Sequence, residues 1–335
     1  MQRGAMFHAQ LKFQDGAAVT VPVDAGEALA EAAARLDLPM RHDCLSGDCG
    51  ACLCRATSGE VQADPTALLS PEEQAEGLRL GCQTRLASDA VFELDYPLHP
   101  TPSAAGRYEA EVIGLDRLNP TTTRLVLHLE NAENLAFAPG QYVRLRPPGL
   151  RVARPYSIAS TPDALPEMEL LIRHVAGGAV SGWLENQAEL GQKVRLQAPL
   201  GGFALDERSP RQIFIGGGTG LSPLLSMIRA ARGRSGRRLL CFGCTAPLDL
   251  FHLEELRALE ADRPDLEVRI AVMRGTATGA ETGTAVDLLR QEDLEPGCAV
   301  HLCGPPAMVI AAQQFLRGAG VASHAIRAER FAPRA

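Results

Sequence analysis

A chain of 335 residues exceeds one ordinary core and suits two or three domains, and 46% hydrophobic with 22% charged residues is a soluble globular balance. No apolar stretch approaches the ~20 residues of a membrane-spanning helix, so no membrane partner is expected. The net charge of −7 is concentrated: residues 1–98 hold 7 Lys+Arg against 15 Asp+Glu, whereas 99–335 hold 26 against 25. That field disfavours nucleic acid, and leaves the first block either a solvated acidic face or a surface that orients a basic partner.

The first block opens with alternating Phe7, Ala9, Leu11 and Phe13, an Asp15-Gly16 turn, and Val19, Val21 and Val23, which is a hairpin pattern. A helix is expected next, with Asp24 as cap, Glu27 three residues later and an alanine-rich run to Leu36. A cysteine loop, a short helix starting at Ser70-Pro71-Glu72-Glu73 and a strand over 91–94 complete a small β-grasp-like domain. Residues 97–103 form a proline-rich, stiff linker. Strands are expected over 108–114, 122–129, 141–145, 156–159, 168–175 and 194–197, separated by turn residues as in an antiparallel barrel. From Ile213 the grammar becomes βαβ: strands over 238–242, 267–272 and 299–302 alternate with helices starting at Ser222-Pro223 and near 253–261, 285–290 and 306–317. Such a succession makes a parallel sheet with helices on both faces.

Cys44, Cys49, Cys52 and Cys82 follow C-x4-C-x2-C with the fourth cysteine after 29 further residues. This is the plant-type spacing for a [2Fe-2S] cluster, whose irons need four thiolates from a tight loop and one distant point. Structural zinc would show two short paired spacings, and disulfides would need an oxidising compartment, against nine cysteines and a start without an apolar leader. A cytoplasmic protein is expected. Ser46, Gly47, Gly50 and Ala51 suit a loop that wraps its amides around inorganic sulfide, while Cys54 falls outside the spacing and is taken as a packing residue.

Two further constellations carry chemistry. Gly216, Gly217, Gly218, Thr219 and Gly220 end an apolar strand directly before a helix, where backbone N–H groups and the helix start attract a pyrophosphate. The run is not G-x-G-x-x-G, and a plain structural turn is its alternative. Cys303-Gly304-Pro305-Pro306 closes another strand at its carboxyl end, where open parallel sheets bind ligands; Cys303 is otherwise a buried thiol. Arg154-Pro155-Tyr156-Ser157 offers a cation, a flat ring and a hydroxyl for a phosphate, a ring face and a ring nitrogen, although an ordinary barrel strand can carry the same residues.

Taken in order, these motifs resemble a ferredoxin–reductase fusion of the kind that feeds bacterial ring-hydroxylating dioxygenases, and are most similar to the benzoate dioxygenase reductase group. The resemblance implies a multidomain α+β and α/β chain: a β-grasp [2Fe-2S] ferredoxin domain (1–98), a linker (99–105), an antiparallel β-barrel FAD domain (106–206) and a parallel α/β NAD domain (207–335). It implies that Arg154 holds FAD phosphates, Tyr156 lies against the isoalloxazine and Ser157 sits near flavin N5, matching R-x-Y-S. Arg173, His174 and Val175, with Gly177, Gly178 and Ser181, resemble the second flavin motif. Gly216 to Gly220 match G-G-G-T-G for the nicotinamide dinucleotide, Cys303, Gly304 and Pro305 match the motif beside the nicotinamide, and Glu329-Arg330-Phe331 resembles a closing E-K-F with Arg for Lys. Ser157 and Cys303 are the catalytic candidates. Cofactors would be the cluster, FAD and NADH, with a terminal oxygenase as partner.

The fusion's logic is electron number: NADH yields a hydride, the cluster takes one electron, and a flavin between them handles both. NADH is favoured over NADPH because Asp249 and Glu254, and no cation, follow the second strand of the last block. His8, His42, His128 and His252 are expected at the surface or in packing. The same module order serves diiron monooxygenases and a deoxysugar dehydratase system, and a redox sensor or binding module with vestigial cofactors is the non-enzymatic alternative.

Overall fold

The computed structural model describes residues 5–331 except 37, 39, 43, 44, 46, 48, 49, 67, 97, 99–104, 206–208, 232–235, 323 and 324. It divides into two compact units, 1–104 and 105–335. The linker, apart from Leu98 and Ala105, lies outside the described residues.

In the first unit β1 (Met6–Lys12) and β2 (Ala18–Asp24) form the expected hairpin, and their inward Ala9, Leu11, Val21 and Val23 are fully buried. Helix α1 (Leu29–Arg35) buries Leu29, Ala30, Ala32 and Ala33. Its cap is Ala28, not Asp24: Asp24 is still paired to Met6 in the hairpin, and its N–H donates to Glu27 Oε2 (3.1 Å) in the turn before the helix. Strands β3 (Leu53–Ser58) and β4 (Val61–Ala63) precede α2 (Pro71–Ala75), where Ser70 and Glu73 cap each other reciprocally at 3.2 and 3.0 Å. β5 (Leu78–Leu80), β6 (Thr84–Leu86) and β7 (Ala90–Glu93) complete a sheet of order β2-β1-β7-β3-β5 with a separate β4–β6 pair. Only β1 and β7 run parallel in that sheet.

The second unit begins with six antiparallel strands, β8 (Gly106–Asn119), β9 (Thr122–Leu129), β10 (Tyr142–Arg146), β11 (Arg154–Ser157), β12 (Glu167–Arg173) and β13 (Lys193–Leu200). Their order is β11-β10-β13-β8-β9-β12, and a bridge between Ile158 and Leu170 closes the barrel. Helix α3 (Ala179–Asn186) sends Trp183, 1% exposed, into the barrel core among Val112, Leu127 and Leu145.

The remainder is a parallel sheet of order β17-β16-β15-β14-β18-β19, made from β14 (Arg211–Gly217), β15 (Arg237–Cys244), β16 (Leu266–Val272), β17 (Glu281–Thr282), β18 (Ala299–Gly304) and β19 (Ile326–Arg330). Helices α4 (Leu221–Ala230) and α5 (Leu253–Asp262) pack on Phe214, Leu240 and Phe242; α6 (Pro306–Gly318) packs on the other face against Ile213, Ile215 and Cys241. The helix expected over 285–290 is a succession of turns. Asp287 Oδ2 accepts from Thr284 N–H and Oγ1, and the bonds Asp287 N–H to Thr284 O and Leu289 N–H to Val286 O span three residues, so no i to i−4 ladder starts.

Barrel and sheet share a core, since Ala159, Leu171 and Phe203 pack with Phe214, Leu224 and Phe242. Burying each Leu or Phe contributes roughly 1.5–3 kcal/mol, so this contact fixes the two lobes against each other. Polar links add direction: Ser222 and Ser226 of α4 donate to the carbonyls of Ser157 (2.8 Å) and Ser160 (2.7 Å), and Arg229 reaches Ala159 O (2.8 Å) and Glu169 (3.1 Å). His252 packs here too, 2.9 Å from Glu255. Burial would raise the Glu255 carboxyl, but His252 and Arg229 outweigh it and hold it down to about 2. No helix among the described residues is long and apolar enough to cross a membrane.

Candidate functional site

Cys44 and Cys49 lie outside the described residues; Cys52 and Cys82 show how the distant fourth cysteine is brought beside the loop. Pairing of Leu53 with Leu80 sets the end of β3 beside the turn after β5, and Cys82 N–H donates to Cys52 Sγ at 3.4 Å. Both sulfurs are buried, at 3% and 4% exposure, and no disulfide forms among the described cysteines. Leu45, Gly47 and Gly50 adopt left-handed φ of 51°, 84° and 71°, and Gly47 lies against the side chain of Gln83, next to Cys82. A buried thiol pair bonded by an amide, beside a left-handed loop, fits a cluster held by thiolates. Cys54 donates to Arg79 O (3.6 Å), and burial pushes its thiol up, which keeps it protonated and a packing residue.

On β11, Arg154 and Tyr156 share a face, and Ser157, 5% exposed, points the other way. Burial pushes the Tyr156 phenol up, leaving a neutral ring. At the end of β12, Arg173 is exposed, whereas the His174 ring is held between Thr123 Oγ1 (2.7 Å) and Glu185 Oε1 (2.9 Å). The His174 N–H donates to Thr121 O (2.7 Å) as well, so both its ring and its amide are committed to the barrel. Ser181 Oγ accepts from Val175 N–H (2.8 Å), so its hydroxyl shapes the loop. Gly177 has φ of 72° with open space where a side chain would stand, and Gly178 begins α3 without a side-chain cap. Free first-turn amides above an open glycine fit the phosphates of FAD.

β14 delivers Gly216 and Gly217 to the carboxyl edge, and the turn Gly218–Gly220 starts α4, again uncapped. A Cβ on Gly217 would stand 2.6 Å from Met308 Sδ and 3.0 Å from Pro305 Cδ, and one on Gly220 would collide with the Cys303 carbonyl. The glycine run and the Cys303-Gly304-Pro305 segment thus pack backbone to backbone, while Gly218, with φ of 54°, faces open space. Thr219 is half-buried in the same turn. Phe331 N–H donates to Gly304 O (2.8 Å), tying the chain end to this edge.

The two lobes meet at Glu329. It stands opposite Cys303 in the β18–β19 register, and Ser157 Oγ donates to its Oε2 at 3.4 Å. Burial, and then the Glu329 charge, push the Cys303 thiol well above its ordinary range, so it stays protonated. A hydroxyl, a neutral thiol and a carboxylate from β11, β18 and β19 therefore converge, an arrangement able to orient a ring and hold a proton. Glu329 appeared in the sequence only as part of a closing motif.

Sequence inspection also missed a cation. No arginine follows β15 along the chain, yet the loop after β16 runs beside it: Met273 N–H donates to Cys244 O (3.0 Å) and Arg274 N–H to Thr245 O (2.9 Å). No local pattern announces this, because the residue arrives from the next strand. Asp249 closes its own turn, Oδ2 accepting from Ala246 N–H (3.0 Å), and its carbonyl accepts from Asn119 of the barrel (2.8 Å).

Comparison with known proteins agrees domain by domain. Family models match as a 2Fe-2S iron-sulfur cluster binding domain (residues 12–87), an oxidoreductase FAD-binding domain (109–205) and an oxidoreductase NAD-binding domain (214–314). The chain is 32% identical over 326 residues to the toluate 1,2-dioxygenase electron transfer component of Pseudomonas putida, covering 96% of this chain and 97% of the relative. It is 34% identical over 325 residues to an aromatic O-demethylase reductase subunit of Amycolatopsis (93% and 96%) and 36% over 266 residues to methane monooxygenase component C of Methylosinus trichosporium (74% and 76%). Among solved structures, an Amycolatopsis cytochrome P450 reductase superposes with a TM-score of 0.71 at 32% identity, over 97% of this chain and 99% of that one. The ferredoxin reductase of carbazole 1,9a-dioxygenase gives 0.67 at 27%, over 98% and 99%. The chain belongs to the family of three-domain ferredoxin–flavoprotein reductases, oxidoreductases that carry a [2Fe-2S] cluster, FAD and a nicotinamide dinucleotide site, one in each domain.

Proposed function

We propose that the protein is a cytoplasmic NADH-dependent reductase that delivers electrons to a terminal oxygenase acting on an aromatic ring. The convergence of Ser157, Cys303 and Glu329 across two lobes carries this reading, because it joins the flavin strand to the nicotinamide edge. When bound, FAD accepts the hydride pair and releases electrons singly to the cluster. Arg154 and the start of α3 would hold FAD phosphates, Tyr156 would pack on its ring, and Ser157 would donate a hydrogen bond near N5. Gly216 to Gly220 would cradle the dinucleotide pyrophosphate, with Cys303 to Pro305 and Phe331 shaping the nicotinamide end. Cys44, Cys49, Cys52 and Cys82 would hold the cluster in a domain ending near residue 98, followed by a linker to 105, a flavin domain to 206 and a dinucleotide domain to 335.

Relatives serving a dioxygenase, an O-demethylase and a methane monooxygenase support an oxygenase as acceptor, and the toluate enzyme's coverage favours the aromatic dioxygenase class. Iron and flavin should be measured on pure protein, then NADH oxidation followed with ferricyanide, with cytochrome c and with a reconstituted aromatic dioxygenase. Cys49→Ser is expected to lose the cluster's visible absorbance and oxygenase reduction while retaining NADH-to-ferricyanide turnover, since that acceptor drains the flavin directly. Loss of all activities together would refute the division of labour.

A further inference from the structure

On the reading that NADH lies along the carboxyl edge of the last sheet with its pyrophosphate at the start of α4, hydride transfer depends on how that helix sits against the flavin strand. Ser222, Ser226 and Arg229 are spaced four and three residues apart, so they share one face of α4. Ser222 Oγ donates to Ser157 O (2.8 Å), Ser226 Oγ to Ser160 O (2.7 Å) and Arg229 Nη1 to Ala159 O (2.8 Å). The segment 157–160 is therefore held from two sides. The amides of Ile158 and Ala159 donate to the barrel, at Gln141 O (3.0 Å) and Glu169 O (2.8 Å), while the carbonyls of Ser157, Ala159 and Ser160 accept from the helix.

Ser222 and Ser226 are 1% and 0% exposed. Serine is a poorer helix former than alanine, and a buried hydroxyl costs free energy unless it is bonded, so a contact built for adhesion alone would carry alanine at both positions. The hydroxyls add direction. Apolar packing of Leu171 and Phe203 on Phe214 is non-directional and tolerates small slides, whereas a hydroxyl–carbonyl bond weakens steeply as its geometry drifts.

The two serines differ in place. Ser226 lies one turn into the helix and holds Ser160, beyond the end of β11. Ser222 is the second residue of α4, in the turn that carries no side-chain cap, and it holds Ser157, whose own Oγ donates to Glu329 Oε2 (3.4 Å). Buried and directed at Ser157 O, the Ser222 hydroxyl is committed within the fold and is not a phosphate ligand. A single side chain thus joins the pyrophosphate turn to the flavin strand.

We propose that Ser222 is a positioning residue for hydride transfer: its bond to the Ser157 carbonyl sets the register between the dinucleotide turn and the flavin strand, and so the approach of nicotinamide to flavin. It acts through Ser157 and the turn and touches neither reactant. Without the bond each binding site keeps its own residues, and only their alignment is lost.

Stopped-flow reduction of the full holoprotein by NADH separates the limiting rate of flavin reduction from the dissociation constant of NADH. Ser222→Ala is expected to lower the limiting rate about tenfold, the weight of one buried hydrogen bond, with FAD content and the NADH dissociation constant little changed. Ser222→Cys keeps the volume but offers only a weak donor, and is expected to show the same loss even where the alanine variant does not fold. Ser222→Thr keeps the hydroxyl and is expected to retain most of the rate. Ser226→Ala removes an equivalent buried bond one turn away; it is expected to lower stability to denaturant as much as Ser222→Ala while leaving the limiting rate unchanged. An unaltered rate in Ser222→Ala or Ser222→Cys, an equal slowing in Ser226→Ala, or an effect confined to the NADH dissociation constant would overturn the proposal, while NADH-to-ferricyanide turnover of the unaltered protein left the reductase reading standing. Absence of that turnover would sink the reading and the proposal with it.

Discussion

The two edges of the dinucleotide-domain sheet follow opposite rules. Toward the amino edge, Asp293 is 2% exposed and accepts from Arg211 Nη2 (3.2 Å) and Arg269 Nη2 (3.1 Å), while Arg269 also binds Glu267 and Leu288 O, and Arg211 also binds Glu295. Burial would raise the Asp293 carboxyl, but Arg269 and the Arg290 amide hold it below its ordinary range. At the carboxyl edge the chain presents glycine backbone and an uncapped helix start. Charges satisfied within the fold hold strands together; groups left unsatisfied at a sheet's carboxyl end await a ligand.

The largest expected break is at the amino edge. Asp293→Ala leaves two buried guanidinium groups without their shared carboxylate and is expected to destabilise the protein by about 3–5 kcal/mol in chemical denaturation. Hydride transfer per folded molecule should not change at low temperature; a slowed rate there would show that the amino edge reaches the chemistry. At the carboxyl edge Gly220→Ala drives a methyl into the Cys303 carbonyl, and displacing either segment by an ångström is expected to lower kcat/KM for NADH about 100-fold. FAD content should hold, because the flavin motifs lie on the barrel; apoprotein would mean that the turn supports both sites. The smallest effect belongs to Ser157→Ala, which removes the hydroxyl bound to Glu329 and is expected to slow flavin reduction about tenfold in stopped flow with FAD affinity changed less. Unchanged rates would remove Ser157 from the reacting centre.

Much of this organisation is legible in the chain. The hairpin, the short helix starting at Ser70, the six barrel strands and the βαβ succession are local patterns with periods of 2 and 3.6 residues, and each was recovered. The misplaced features have equally local causes. Asp24 looked like a cap because Glu27 follows it, yet the hairpin register claims it first. Residues 285–290 carry helical composition, but the mutual bonds of Thr284 and Asp287 close a turn before a ladder can begin. Strands β3 to β6 escaped notice since they are short and interrupted by the cysteine loop and its neighbours.

Primary structure alone determined the cofactor set, because a cluster, a flavin and a dinucleotide each demand contiguous backbone geometry: a cysteine spacing, an R-x-Y-S strand, a glycine turn. Tertiary structure alone decided which residues meet beside those stretches. Glu329 meets Ser157 only because β19 pairs with β18 and α4 ties the barrel to the sheet, and Arg274 meets Thr245 only because β16 lies beside β15. Contacts of that kind join residues far apart in the chain through the register of neighbouring strands, and register is set by packing across the whole sheet, which no short stretch of sequence records.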